Sequence, residues 1–526
     1  MRQEKCRGSI TVFAALAIML VAQLLFTLIE GARYIELEKV IQMNTESVLE
    51  SVFADYCSPL WEEYRLLGLV ADNKDGELSF NNRSAQMCML TKKNLGQAQM
   101  GADTFGSGEN FLRADVTDID VDSYLLMTDG NGTVFEECVS AYMKENLTYE
   151  LAKGIYNNYE SIKELQNRYG GGGDQISGAL EALKEAHQER EDSGESQLGK
   201  NESGKTINRK TVPEKRKVKG RASPSKEDDP LTIVTEAQKK GILNLVLSED
   251  SPLSGTAFTQ EECVSKRVLA RGNGLIEMEE DWYDKTLFTQ YVYNYLSSYT
   301  VPMQGHALQY EMEYLIGGKD NDADNLRATV DRLLAVREGL NMASLMSMPD
   351  KLAEAETLAI ALAGVTANPV VIEAVKYGIL AAWAYVESVL DVRALLDGDQ
   401  IALIKSNAIW TSTIDNFSTI LSGWSKAKSC ETGGLSYKQY GMALLLFVND
   451  STLAMRAMDV EEATIRAVEG YSSFRMDHVV CEMSIQAAYE YRSVFMLFVS
   501  MVKDATDTNR VIDSARYRYF KGKEGV

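Results

Sequence analysis

Asp320, Asp322 and Asp324 stand at alternate positions, and Asp331 falls at the twelfth position of the same stretch. That spacing echoes the oxygen ligands of a calcium loop. Two features oppose it: the sixth position is Asn325 where such a loop needs glycine, and ATVDRLLAVRE opens a helical pattern at once. The aspartates are expected to cap that helix and complement its dipole. The three histidines, His187, His306 and His478, sit in none of the spacings a metal or a catalytic triad needs. His306 precedes Tyr310 by four residues and Glu311 by five, and reads as an ordinary packing pair. No nucleophile elbow, P-loop or dinucleotide fingerprint is present, and glycines 170–173 read as a linker run. No enzyme activity, cofactor or metal is expected. The alternatives are an envelope enzyme, which would have to work through carboxylates because histidines are so scarce, and a ligand-binding sensor.

The elements that position these residues begin with ITVFAALAIMLVAQLLFTLI, residues 10–29, a run of twenty without a charge. As a helix it rises about 30 Å, the thickness of a bilayer core. Arg2, Lys5 and Arg7 precede it, which places the leader 1–9 in the cytoplasm and the bulk of the chain outside. Apolar residues at Ile35, Val40, Ile41, Val48, Leu49, Val52 and Phe53 continue the helical spacing, so a stem helix is expected over 30–60. Gly8 and Ser9 form a candidate processing site of the class III leader kind. Phe13 stands where such leaders place a glutamate, and an uncleaved signal anchor is the competing reading.

Beyond the stem, residues 61–169 read as an α+β part. Val116, Ile119, Val121 and Tyr124 alternate with polar residues before the turn at Asp129-Gly130-Asn131-Gly132, which predicts a strand followed by a helix. A disordered insertion is expected over 170–230, where the chain is rich in charge, Ser and Gly. Its basic run, residues 209–221, is either a solvated linker or a contact for anionic wall polymer or lipid. A helical domain is expected over 231–470, with 369–396 as a buried core helix because Glu373, Lys376, Glu387 and Asp391 interrupt it. Strands over 471–526 are expected to complete a sheet with the strand near Val121.

Net charge is −22, which repels phosphate backbones and argues against nucleic acid as a partner. The cysteines, Cys6, Cys57, Cys88, Cys138, Cys263, Cys430 and Cys481, form no CxxC pair and leave the disulfide question open.

Several segments carry a resemblance: GSITVFAALAIML at 8–20, SVFADYCSPLWEEYRLLGL at 51–69, LMTDGNGTVFEECVSAYMK at 126–144, HALQYEMEYLIGGKDNDADNLRATVDRLLAVRE at 306–338 and EAVKYGILAAWAYVESVLDVRALLDG at 373–398. Together they resemble a family of uncharacterised Gram-positive bacterial membrane proteins found beside tight-adherence (Tad/Flp) pilus machinery. The resemblance implies an envelope protein with a pseudopilin-like N-terminus, acting as a structural or assembly component through protein–protein contacts. The fold expected is α+β, predominantly helical, on a transmembrane helix and stem, with a small antiparallel sheet. The partners expected are the membrane and other envelope or pilus proteins, met through the transmembrane and stem helices.

Overall fold

The computed structural model describes residues 4–73, 76–97, 114–196, 229–276 apart from 250, 252, 258, 260 and 261, then 281–363, 368–430, 433–493 and 509–519. The fold is predominantly helical α+β with a small antiparallel sheet. Contacts divide it into two units, one built from 1–145, 262–279 and 461–526 and the other from 146–261 and 280–460.

In the first unit, α1 runs from Glu4 to Phe53 as one helix of 50 residues. Its further elements include β1 (Leu69–Val70), α2 (Asn81–Gln97), β2 (Ala114–Leu126), α3 (Thr133–Asn146), β3 (Val479–Tyr491) and β4 (Asn509–Arg518). β3 is the centre of the sheet: β2 pairs along its whole length on one side, and β1 and β4 share the other, all antiparallel. The pairing runs from Ala114↔Tyr491 to Leu126↔Val480, so residues far apart in the chain close on one another as the alternating patterns predict. Register shifts after Val116, Val121 and Leu125 let β2 twist with its partner while Val116 and Ile119 stay on the buried face.

The apolar face of that sheet meets α1. Leu37, Ile41, Val48, Leu49, Val52 and Phe53 are buried against Ile119, Met483, Ile485, Ala487, Tyr489 and Ala515. Leu37 belongs to this face, whereas Ile35 is 57% exposed, so the stem's buried stripe starts two residues later than the sequence pattern suggests. At the turn after β2, Gly130 and Gly132 take φ of 67° and 96°, a conformation that suits residues without a Cβ. Residues 262–276, expected within the helical domain, belong to this first unit. Arg267 bonds both Glu462 (2.5 Å) and Asp477 (2.6 Å), and the Gly272 amide donates to Asp129 (3.0 Å). Those are long-range pairings that no local pattern announces.

The second unit contains α4 (Tyr149–Tyr169), α5 (Gly172–Ser196), α6 (Pro230–Gln238), α7 (Asp322–Met346) and α8 (Pro369–Leu396) among its helices. α8 is its core, buried without a break from Gly378 to Leu396. Asn368 and Pro369 start it: the Asn368 side chain accepts from the Val370 amide at 3.0 Å, and Pro369 occupies a first-turn position whose N–H would have no partner.

The insertion expected from residue 170 is corrected here. Gly170 closes α4, Gly172 opens α5, and Ala179 of α5 is buried against α8. α5 therefore repays its ordering through core contact rather than composition. The remainder of the expected insertion, with the basic run 209–221, lies outside the described residues.

Helices α5 and α8 approach closely at Gly378, where an added Cβ would lie 2.4 Å from the Cβ of Ala179. Gly378→Ala is expected to lower stability by about 1–3 kcal/mol through overpacking, despite its better helix propensity, as measured by the denaturation midpoint of the full chain in detergent.

Candidate functional site

Two features of the structure have the chemistry to carry a function, and they lie in different units. The first is α1. Its apolar stretch over residues 10–29 is largely exposed: Phe13, Ile18, Leu20 and Leu24 are 74%, 70%, 68% and 62% exposed. It is the one helix among the described residues long and apolar enough to span a membrane.

The exposed half passes into the buried half through a polar joint. Arg33 donates to Glu30 (2.5 Å) and to the carbonyl of Arg492 just past β3 (3.0 Å), and both α1 side chains are buried. Further along, the Thr45 and Tyr489 hydroxyls are 3.0 Å apart, and Asn94 of α2 bonds Asn44 (3.0 Å). At the end of the helix Phe53 packs against the rings of Tyr517 and Tyr519, and the Tyr519 hydroxyl donates to the Phe53 carbonyl (2.5 Å). Polar bonds thus flank the apolar packing along the stem and fix its register on the sheet. Gly8 and Ser9 lie within the helical part of α1.

The second feature is in the second unit, where the sequence-predicted aspartates separate. Asn321 is the cap of α7, accepting from the Asp324 amide at 2.9 Å. Asp322 is buried and accepts from Ser254 (2.6 Å) and from the amides of Gln309 and Tyr310 (both 3.1 Å). Asp324 takes the Asn321 side-chain amide (2.8 Å), and Asp320 precedes the helix. The expectation that the aspartates themselves cap the helix is thus corrected to Asn321, with Asp322 tying two loops to the first turn.

Asp331, two to three turns on, faces elsewhere. It lines a cavity of about 680 Å³ with Arg327, Leu334 and Glu338 of α7, Tyr385 of α8, and the segment from Gln238 to Leu245. Residues Arg327, Asp331, Leu334 and Glu338 fall on one face of α7, which is why the helical period brings them to one wall. His306 meets Glu311 at 2.7 Å through a loop. It is a buried local pair, as its sequence position suggested.

The unit also buries a charge network. Asp391 of α8 accepts from Arg337 (2.7 Å) and Asn341 (2.7 Å) of α7 and meets Lys405 (2.5 Å). Lys405 also pairs with Glu387, whose other bonds come from the Thr411 amide and from Ser412. Burial opposes the ionised form of Asp391, but the adjoining Arg337 and Lys405 cations outweigh it and hold the carboxyl below its usual range. Arg337, Glu387 and Asp391 have no solvent exposure, and Lys405 has 2%. Closed in this way, the network has no face open to a substrate, so it fixes the loop 401–412 against α7 and α8.

Glu387 and Asp391 were visible in the sequence as interruptions of an apolar helix. Their partner Lys405, and the cavity group Glu338 with Tyr385, carried no motif. A charge at helical spacing from Asp331 was the only available signal for Glu338.

Residues 220–491 match a family of unknown function, DUF5702. The chain belongs to this family. The matched span holds the buried network, the cavity and the whole of the sheet's central strand, and it leaves out α1. No curated protein and no solved structure matches the chain.

Lys405→Met removes the cation while keeping much of the side-chain volume, which leaves Glu387 without its ammonium partner and Asp391 with one cation fewer. A loss of about 3–5 kcal/mol is expected in the unfolding of the second unit, measured by hydrogen exchange of the α8 amides.

Proposed function

We propose that this chain is a single-pass membrane protein with a cytoplasmic leader and an extracytoplasmic bulk, working as a structural or assembly component of an envelope apparatus of the Tad/Flp pilus kind. The observation that carries the reading is the continuity of α1, whose exposed apolar first half and sheet-buried second half are one helix. A domain tethered by a loop would diffuse freely about its anchor. A domain whose core includes the anchor's own extension transmits the position and tilt of the membrane helix directly to its surface. That is the mechanical need of a subunit that must present itself in a fixed orientation to neighbours.

The orientation follows from Arg2, Lys5 and Arg7 ahead of the apolar run. The pilus context rests on the resemblance of the N-terminus and the helical segments to membrane proteins of such loci in Gram-positive bacteria. Packing of the anchor against other transmembrane helices gives the protein–protein contact, since Ala14, Ala15, Ala17 and Ala22 allow close approach along it.

Replacing residues 1–29 with a cleavable secretory signal releases the folded domain from the membrane and separates anchorage from folding. In a strain lacking the native gene, the anchored chain is expected to restore surface pili and the released one to fail. Equal restoration by the released form would contradict the reading.

A further inference from the structure

The cavity beside α7 has a floor and a mouth of different character. At the floor, Tyr385 is 3% exposed, and its hydroxyl has no hydrogen-bond partner among the described residues. That hydroxyl is not sealed from solvent, so it can donate to or accept from a ligand that enters the cavity. Glu338 stands at the same cavity half-buried, again with no hydrogen bond or ion pair among the described residues, and burial pushes its carboxyl up to about 7. Burial pushes the Tyr385 hydroxyl's pKa up, the Glu338 and Asp331 carboxyls add to the shift, and all three residues line the same cavity.

The mouth is basic. Lys239 and Lys240 are exposed at the end of α6 and make no side-chain bond among the described residues, while Arg327 is engaged with Asp324 (3.5 Å). Leu243, Leu245 and Leu334 supply apolar wall between the two ends. A volume of about 680 Å³ lies in the range of small-molecule sites.

We propose that this cavity binds a small zwitterion of the amino-acid or dipeptide class, its ammonium seated on Glu338, Asp331 and the Tyr385 hydroxyl and its carboxylate turned to Lys239 and Lys240. A carboxylate and a hydroxyl together satisfy the several N–H donors of an ammonium, which a neutral alcohol or an anion would leave unmet. The paired lysines at the other end exclude a diamine by repulsion and select the anionic group. Loss of water from the leucine wall adds affinity for a side chain of modest size. The site makes the second unit a sensor of small peptides or amino acids, a role that stands or falls independently of how the chain is anchored.

The experiment is calorimetric titration of the full chain in detergent with three probes: dialanine, N-acetyl-dialanine and dialanine amide. Dialanine is expected to bind. Acetylation, which removes the ammonium, is expected to abolish binding, and amidation to weaken it about tenfold, the scale of one charge-assisted bond. Tyr385→Phe and Glu338→Gln each change one group at nearly constant volume, and each is expected to weaken dialanine by about tenfold at unchanged melting temperature. Lys239→Ala with Lys240→Ala is expected to weaken dialanine while leaving its amide unchanged. No binding of any probe, equal binding of the acetylated probe, or full binding by both the Tyr385 and Glu338 variants overturns the proposal.

Discussion

The structure depends on one constraint: the helix that exposes a membrane-length apolar surface is the same helix that completes the core of the sheet. Each half would be unsatisfactory alone. Twenty uncharged residues stand largely exposed, and the sheet has one apolar face that would be open to water without Leu37, Ile41, Val48, Leu49, Val52 and Phe53. Joining them in one helix removes the hinge between the two environments. The polar joint at Glu30 and Arg33 sits where they meet, and its bond to the Arg492 carbonyl holds the end of β3 against the helix at that height.

From this follows the layout of the first unit. The central strand β3 comes from late in the chain, and its partners β1, β2 and β4 come from both ends of it. The sheet therefore assembles only after the long intervening sequence has been made, a non-local arrangement whose folding is set by loop closure. The second unit solves a different problem. α8 is apolar along most of its length, yet it carries Glu387 and Asp391, which Arg337 and Lys405 neutralise inside the core. Each ion of such a network has given up its water, so the attraction among them is largely offset by that desolvation.

Much of this architecture was legible from periodicity. The uncharged run, the alternating strands near Val121 and Ile485, and the Asn368-Pro369 start of α8 are local signals, and local physics carries them into the fold. What escaped was tertiary in origin. The stretch from 172 to 196 has the composition of a linker and is helical because α8 offers Ala179 a neighbour at Gly378. Residues 262–276 join the first unit through Arg267, Glu462 and Asp477, separated by some 200 positions in the chain. Asp331 was grouped with Asp320, Asp322 and Asp324 by spacing, whereas helical geometry turns it to the wall that holds Glu338. A spacing argument identified the residue and misplaced its companions.

The continuity of α1 is tested most directly by the distance between spin labels at positions 18 and 43, both on exposed faces, at 70% and 69% exposure. With the chain in lipid bilayers, 25 helical residues predict a single narrow distribution centred near ~38 Å. A broad or bimodal distribution, or a centre many ångströms shorter, would show a hinge between the apolar run and the stem and contradict the account.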